Sequence, residues 1–389
     1  MTSSRTVRLL GFASAANNFR FYWAFATIYL AAQLGSYAGA LALLALAELT
    51  RAVLEVPSGV ISDRLGRVPT LCLGLAASAL SVLGLAIGLP LALVGWALGD
   101  GIARAMFSGN NESLVHDALA SEGLVERYPS ALGGVNARVE LSGFMAIMIG
   151  SAAVGVPLVV LVWASLVPTV GALLIGLRIA EPARSAEHRL TMVAHVRAVG
   201  IVLRHNLRLR YLIIGSIWDA GIGEVMWALR APAYALFLPL WLVGMLISTA
   251  FLSSAVGFHL AGRLMHRLGP LAVLIGGQMV TRVLMIGGTI VASIASPWLI
   301  AASGISYGPA SIADSTIFQA ELHRSIRATV LSVRSLGASI AFVLIAPFFG
   351  LLADNYGVLG SLLIGQLCAL PVLFFYMRLR RLYAVAPGI

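Results

Sequence analysis

The chain contains no lysine, so all 26 of its basic residues are arginines. The phosphate-binding loop G-x-x-x-x-G-K-[ST] needs a lysine, and its absence argues against ATP-driven chemistry by this chain. Only two cysteines occur, Cys72 and Cys368, in separate apolar segments, which predicts neither a disulfide framework nor a metal site. Charged residues make up 11%, far below the roughly 25% that is typical of soluble domains.

Apolar residues dominate what is present. They make up 59% of 389 residues, with a mean hydropathy of +0.93, too much apolar surface for a soluble core. Twelve stretches are long enough to cross a bilayer, which predicts an all-α polytopic membrane protein. They run near residues 9–33, 39–62, 69–89, 91–117, 133–155, 157–179, 209–236, 240–264, 271–292, 297–320, 328–352 and 358–380.

The arginines are placed asymmetrically between these spans. Alternate connections hold arginines such as Arg64, Arg127 and Arg324, while the others are short and nearly uncharged. Because basic loops stay on the cytoplasmic side, we expect a multi-pass protein of the inner cell membrane with both termini cytoplasmic. The same pattern explains the net charge of +10 without a nucleic-acid partner. No cleavable signal peptide is expected, since the first apolar stretch continues into a full span.

The longest polar stretch separates two groups of six spans. It predicts an N-terminal bundle at 1–180, a cytoplasmic linker at 181–208 and a C-terminal bundle at 209–389. Its histidines, His188, His195 and His205, fit no metal-binding spacing, so we expect neither a metal nor a cofactor.

The loop after span two carries the most specific motif. It reads Gly59-Val-Ile-Ser-Asp63-Arg64-Leu-Gly66-Arg67. This pattern, G-x-x-x-D-R-x-G-R, resembles the signature loop of major facilitator superfamily transporters. Span eight ends on a related segment with Gly262, Arg267 and Gly269, where His266 replaces the acid. Span eleven ends on a third version, which runs from Gly350 through Asp354 to Gly357 and lacks arginine.

The resemblance covers essentially the whole chain and implies two pseudo-symmetric six-helix bundles around a central cavity. It implies transport by rocking of one bundle against the other, with spans one, four, seven and ten lining the cavity. It further implies that Asp63 latches the bundles together near Ser325–Arg327, braced by Arg64 and Arg67, and that Gly59 allows close packing. Two departures from drug exporters weaken an antiport assignment. Span five lacks a Gly-Pro pair, and span four matches the R-x-x-Q-G pattern only loosely at Arg104–Gly109.

Charged side chains within spans are costly and therefore functional candidates. The candidate cavity or substrate residues are Asn17, Arg20, Asp100, Arg104, Trp218, Tyr307 and Asp314, and the candidate proton-coupling acids are Glu48, Asp100, Asp219 and Glu224.

Each of these candidates has a structural alternative. Glu48, Arg51 and Glu55 share one helix face, so they can form an internal ion triad. Asp100 and Arg104 can neutralise each other. Arg20 can bind an anionic substrate group or pair with an acid on span four or seven. Asp219 and Glu224 are about 140° apart around one helix, so at most one faces the cavity squarely.

Further polar and aromatic residues are expected at helix ends and along the spans. Asp117 and Glu321 lie at cytoplasmic helix ends, where we expect salt bridges to Arg127, Arg324 or Arg327. Trp218, Trp227, Tyr307 and Phe107 could form an aromatic wall for a hydrophobic substrate.

Three function classes remain open from the sequence. The first is a monomeric secondary transporter, with proton-linked efflux of a small drug or metabolite as the favoured reading and uptake or exchange of a small organic anion as the alternative. The second is a polytopic membrane enzyme, which is disfavoured because H-E-x-x-H and C-x-x-C are absent and no concentrated catalytic cluster is recognised. The third is a receptor that binds a ligand without moving it.

Overall fold

A computed structural model describes residues 5–182, 206–322 and 327–385. Regular structure within these ranges is helical. The α-helices are α1 (Arg5–Asn18), α2 (Ala26–Leu34), α3 (Tyr37–Leu65), α4 (Arg67–Ile87), α5 (Pro90–Phe107), α6 (Asn110–Ser121), α7 (Tyr128–Ala152), α8 (Leu158–Gly176), α9 (Leu207–Ala235), α10 (Leu240–Leu268), α11 (Pro270–Val291), α12 (Ser296–Ala302), α13 (Tyr307–Glu321), α14 (Arg327–Ala369) and α15 (Pro371–Val385). Helices satisfy their own backbone groups, which a hydrocarbon environment requires.

The chain divides into two compact units. Unit 1 comprises residues 1–35 and 42–189, and unit 2 comprises residues 36–41 and 190–389. Helix α3 therefore begins in unit 2 and continues in unit 1. Most of the predicted linker lies outside the described residues, so the predicted domain boundaries stay a prediction.

Each unit has its own apolar core, built from several helices. In unit 1 it includes Leu10, Leu71, Leu114, Val135 and Ala172, from α1, α4, α6, α7 and α8. In unit 2 it includes Leu212, Leu274, Ala313, Phe318 and Tyr376, from α9, α11, α13 and α15. These cores fix the helices that carry the intramembrane charges.

Four of the twelve predicted spans are not continuous helices, and one of them, span twelve, is divided at Leu370 between α14 and α15. Span one is interrupted between α1 and α2, span four at Ser108–Gly109 between α5 and α6, and span ten by a 3₁₀ turn at Ser303–Ser306. Apolar periodicity does not reveal a break whose backbone groups find local partners, so these interruptions were not predicted. Spans eleven and twelve form α14 and α15, with a kink at Gly357.

The helices differ in how clearly they qualify as membrane-crossing. In the described part of the chain, six helical stretches are long and apolar enough by length and composition alone. One of them, Val330–Tyr383, includes both spans eleven and twelve. Spans one, four and ten fall short because they are broken, and α3 carries several charges within its length.

Three glycines adopt the same unusual backbone conformation at helix ends. Gly66 has φ 115° and ψ 164°, Gly269 has φ 80° and ψ 152°, and Gly357 has φ 75° and ψ 163°. This region of backbone space is essentially restricted to glycine. The three segments with related sequence patterns therefore share one backbone conformation at their final glycine.

Candidate functional site

Arg20 lies in the break of span one and not on a helix. Its Nε donates a 3.2 Å hydrogen bond to the carbonyl of Asn17, near the end of α1. The backbone N–H of Phe21 donates to Ser165 Oγ at 3.0 Å, and a Cβ at Gly150 would lie 2.3 Å from the Phe21 carbonyl oxygen. The break is thus held by polar partners and by a glycine that lets the chain approach α7.

The Arg20 side chain is buried in a polar cluster of unit 1. Nη1 lies 3.1 Å from Asp100 Oδ1, and Nη2 donates to Ser78 Oγ at 2.8 Å. The Ser78 hydroxyl donates in turn to Asn17 Oδ1 at 2.5 Å. Arg20 and Asp100 are 7% and 5% exposed, so this is a fully buried ion pair.

The ion pair continues as a chain of alternating charges. Asp100 Oδ2 lies 2.9 Å from Nε of Arg104, without a well-directed hydrogen bond, and Nη1 of Arg104 lies 2.9 Å from Glu48 Oε2. Arg51 then bridges Glu48 at 2.5 Å and Glu55 at 3.4 Å. The charges of the three arginines and three acids cancel, and the two ends of the chain differ in side-chain exposure, which is 9% at Arg20 and 42% at Glu55. The ion triad predicted for Glu48, Arg51 and Glu55 is confirmed as part of this longer chain.

The signature loop forms a second polar cluster in unit 1, centred on Arg67. Its guanidinium contacts Asp63 at 3.1 Å, Asp117 at 3.4 Å and Ser62 at 2.6 Å. The backbone amides of Arg67 and Val68 each donate to one oxygen of Glu181 at 2.7 Å. These contacts fix the turn between α3 and α4.

Several expectations for the helix ends need correction. Among the described residues, nothing lies within 4 Å of a Cβ placed on Gly59 or Gly262, so the close packing predicted at Gly59 is not found there. Asp117 pairs with Arg67 and His116 instead of Arg127, because α6 packs against α4. The region expected to meet Asp63, Ser325–Arg327, lies largely outside the described residues.

Glu321 in unit 2 has partners among the described residues, while Arg324 and the side chain of Arg327 lie outside them, so its expected salt bridge to these arginines stays a prediction. It pairs with Arg208 at 3.7 Å and accepts a 2.5 Å hydrogen bond from Tyr383. The start of α9 and the end of α15 supply these partners, which sequence order alone does not bring together.

Unit 2 contains an ion pair between the partly exposed Asp219 on α9 and the buried Arg282 on α11. Arg282 contacts Asp219 Oδ1, and Gln278 donates to Oδ2 at 2.7 Å. Gln366 accepts a 2.8 Å hydrogen bond from Arg282. Both carboxylate oxygens of Asp219 are therefore occupied, which corresponds to the structural alternative considered for this acid.

A second ion pair in unit 2 joins Asp314 on α13 to Arg334 on α14. Asp314 Oδ2 lies 2.6 Å from Nη2 of Arg334, whose guanidinium also stacks on Phe318 at 4.6 Å. Asp314 is 7% exposed, and its buried Oδ1 has no hydrogen-bond partner among the residues that the structure describes. An unsatisfied buried carboxylate oxygen is costly, so this acid differs from Asp100 and Asp219.

The remaining candidates are more exposed. Trp218, Trp227 and Tyr307 are 44%, 39% and 62% exposed. Trp218 donates to the carbonyl of Cys368 at 2.8 Å, and Tyr307 meets Phe258 edge to face at 6.3 Å. Phe107 belongs to unit 1, where it packs near Gly74, so the predicted aromatic wall is not gathered within one unit. Glu224 is exposed on α9.

Sequence reasoning missed the neutral polar partners. Ser78, Gln278 and Gln366 complete the ion pairs, and Glu181 occupies the start of α4. A buried glutamine at a helical spacing of four from Arg282 was the one available signal. Among the described residues, no group of three or more His, Cys, Asp or Glu side chains could hold a metal ion.

Comparison with known proteins gives a family match. The family model described as Major Facilitator Superfamily matches residues 8–344. A comparison with curated proteins gave no sequence match.

Solved structures match over almost the whole chain. The nucleoside transporter NupG aligns with a TM-score of 0.81 at 15% identity, covering 97% of this chain and 99% of its own. A bacterial homolog of the human lysosomal transporter Spinster gives 0.70 at 18%, covering 98% and 96%. A POT family transporter in complex with a thioalcohol-conjugated peptide gives 0.72 at 14%, covering 97% and 96%. At these identities the likeness establishes the fold alone.

Proposed function

The chain belongs to the major facilitator superfamily, and from this premise we propose that it exports a small organic compound in exchange for protons by alternating access. Members of the family are secondary transporters of small molecules and not enzymes, so the chain is a multi-pass membrane transporter. Export, proton coupling, a monomeric state and cytoplasmic termini belong to the proposal.

The proposal depends most on the Asp314–Arg334 pair. Arg334 lies 2.6 Å from Oδ2 of Asp314 and balances the charge of this carboxylate. The other oxygen, Oδ1, is buried and has no hydrogen-bond partner among the described residues. Burial without hydrogen bonds disfavours an anion, whereas the neighbouring arginine favours it. When Arg334 moves away, proton uptake by Asp314 becomes the less costly state, so protonation and side-chain position are coupled.

The other acids support a different role. Asp100 is held by Arg20 and Arg104, and Asp219 by Arg282 and Gln278, so each carboxylate is stabilised as an anion on both oxygens. We therefore assign them to ion networks that hold the helices, and Asp314 to the proton. Glu48 and Glu224 stay secondary candidates for coupling.

The breaks in spans one and ten support a role of these two spans in substrate binding. Spans one and ten are interrupted beside Arg20 and shortly before Asp314. Discontinuous helices in transporters expose backbone groups that bind substrates and coupling ions. Three residues remain proposed substrate contacts. Asn17 lies near the end of α1, Tyr307 begins α13, and Trp218 lies on α9.

Transport of an organic anion is the second candidate. The sequence motivated it through Arg20 and Arg104, but both guanidiniums contact acids in unit 1. Arg230 in unit 2 is better suited to an anion, because it has no carboxylate partner among the described residues.

Proton coupling is testable with purified protein in liposomes that enclose a pH-sensitive dye. A panel of amphipathic cations, nucleosides and organic acids is added, and proton movement is recorded. Wild-type protein is expected to move protons when a substrate is added, and Asp314→Asn to move none while still exchanging substrate between the two sides. Asp314→Glu should retain partial coupling.

The matched control is Asp117→Asn, which removes a buried carboxylate of unit 1 near the signature loop. It should leave the ratio of protons to substrate unchanged. Proton movement that persists in Asp314→Asn, or substrate movement that is indifferent to pH in the wild type, would refute the proton assignment. Direction is tested in cells: expression should confer resistance to a transported toxic compound, and increased sensitivity would indicate uptake.

A further inference from the structure

Arg230 differs from the other arginines placed within spans seven, nine and eleven. Arg282 contacts Asp219, and Arg334 contacts Asp314. Among the described residues, no carboxylate oxygen lies within 4 Å of the Arg230 guanidinium. Arg230 is thus a cation of the helical interior without a direct counter-charge.

The polar surroundings of Arg230 leave most of its hydrogen-bonding capacity unused. Nη2 donates a long, 3.4 Å hydrogen bond to Ser303 Oγ, and the buried Nε has no partner in the described part of the chain. The Ser303 hydroxyl donates to the Ile300 carbonyl at 2.7 Å, so its oxygen can only accept from Arg230. A guanidinium has five N–H donors in a planar fork, and this arrangement uses one of them.

An aromatic ring provides the other neighbour. The Arg230 Cζ lies 5.0 Å from the centre of the Trp227 ring, one helical turn earlier on α9. A cation–π contact contributes about 0.5–2 kcal/mol. Insertion scales give roughly 2.5–3.5 kcal/mol for an arginine at the centre of a membrane helix, and Arg230 lies nearer to the end of α9. The ring carries no charge, so an anion bound to the guanidinium would add the missing counter-charge.

We propose that Arg230, together with Ser303 and Trp227, forms a binding site for an oxyanion, such as the carboxylate, sulfonate or phosphate group of a ligand. The free edge of the guanidinium matches the two oxygens of such a group in bidentate geometry. Ser303, which is 2% exposed, fixes one side of the fork, and the Trp227 ring lies beside the guanidinium.

Two sources of this chemistry are compatible with the position of Arg230. It lies five residues before the last residue of α9, or roughly 7.5 Å along the axis at 1.5 Å per residue. A dissolved organic acid could supply the oxyanion, and so could the headgroup of an anionic lipid at the membrane boundary. The site does not depend on proton coupling or on the direction of transport.

The full-length protein in dodecyl maltoside, in buffer free of phosphate and sulfate, provides the test. Binding is measured by thermal unfolding and by tryptophan fluorescence with benzoate, benzenesulfonate and phenylphosphate, with benzamide as the neutral probe. A second arm adds short-chain dioctanoyl phosphatidylglycerol, with dioctanoylglycerol as its neutral counterpart. Saturable binding of the soluble anions identifies a solute site, and binding of the anionic lipid alone identifies a headgroup site; either result supports the oxyanion site.

Three variants make the result specific to Arg230. Arg230→Gln should weaken binding at least about thirtyfold, because one member of a hydrogen-bonded charge pair is lost. Arg230→Lys keeps the charge but loses the fork, so it should bind with intermediate affinity even if Arg230→Gln folds poorly. Arg378→Gln is the matched control, since Arg378 stacks on Phe374 at 5.4 Å in the same unit and should bind as wild type does.

Three results would overturn the proposal. The first is equal binding of benzamide and benzoate. The second is wild-type affinity in Arg230→Gln. The third is a lack of binding by any anionic probe in both arms.

Discussion

Asp354 accepts a 2.7 Å hydrogen bond from the backbone N–H of Tyr37, 317 positions earlier in the chain. The same carboxylate accepts from the Ala38 amide at 3.0 Å and from the Ser36 hydroxyl at 2.7 Å. A Cβ on Gly350 would lie 2.5 Å from the Ala38 Cα, so only glycine permits this approach. In unit 2, the third version of the signature segment thus joins α14 to the first turn of α3 through its glycine and its acid.

Replacing Asp354 by alanine should destabilise the protein. The first amides of α3 lose their acceptor, and loss of such a cap typically costs about 0.5–2 kcal/mol. Thermal unfolding in detergent measures the effect, and Asp354→Asn should lose less because one oxygen remains. Asn355→Ala is the control, since the exposed Asn355 side chain donates only to the Leu351 carbonyl in its own helix. Equal stability of Asp354→Ala and Asn355→Ala would contradict the capping role.

Replacing Asp100 by asparagine should be among the most damaging single changes in unit 1. It leaves Arg20 and Arg104 without their shared acid, and breaking a buried ion pair costs about 3–5 kcal/mol. Adding Arg20→Gln should recover part of the loss, because the uncompensated buried cation is then removed. Glu55→Gln at the exposed end of the chain should cost at most about 1 kcal/mol. Denaturant unfolding compares the variants, and additive losses in the double variant would show that Arg20 and Asp100 are not coupled.

Gly66→Ala tests the turn geometry of the signature loop. At φ 115° and ψ 164° a Cβ is strained, and we expect a loss of about 1–3 kcal/mol. Gly59→Ala, seven residues earlier in α3, meets open space among the described residues and should change stability by no more than about 0.5 kcal/mol. Thermal unfolding of the two variants side by side is the measurement. A greater loss in Gly59→Ala would point to a contact outside the described residues.

Glu181→Ala should loosen the first turn of α4. The Glu181 carboxylate accepts from the amides of Arg67 and Val68 at 2.7 Å, and an anion at a helix N-terminus is favourable. We expect faster amide hydrogen exchange at these two positions and little change in the middle of α4. Glu122→Ala, which removes an exposed acid after α6, is the control. Unchanged exchange at Arg67 and Val68 would exclude the cap.

The local arrangement of charges was predicted in part from spacing. Glu48, Arg51 and Glu55 recur on one helical face, and Asp100 and Arg104 are one turn apart, so their pairing follows from helix geometry. The choice of Asp100 as the partner of Arg20 did not follow, because it depends on how span one breaks and which helix packs beside the break.

Contacts between distant segments escaped prediction for the same reason. Three contacts join residues that are far apart in the sequence. They are Glu181 with the start of α4, Arg208 with Glu321, and Gln366 with Arg282. Neutral side chains such as Gln366 carry no charge pattern, so nothing in the sequence distinguishes a buried partner from an ordinary polar residue.

The sequence by itself determined the membrane environment, the twelve apolar spans, the repeated segments and the family, because hydropathy and a short glycine–acid–arginine pattern are local properties of the chain. Tertiary structure alone decided which charges on different helices meet, where spans one, four and ten break, and that Arg230 has no carboxylate partner among the described residues. Ion pairing in a low-dielectric interior is settled by distances of a few ångströms between helices, and those distances are fixed only when the helices pack.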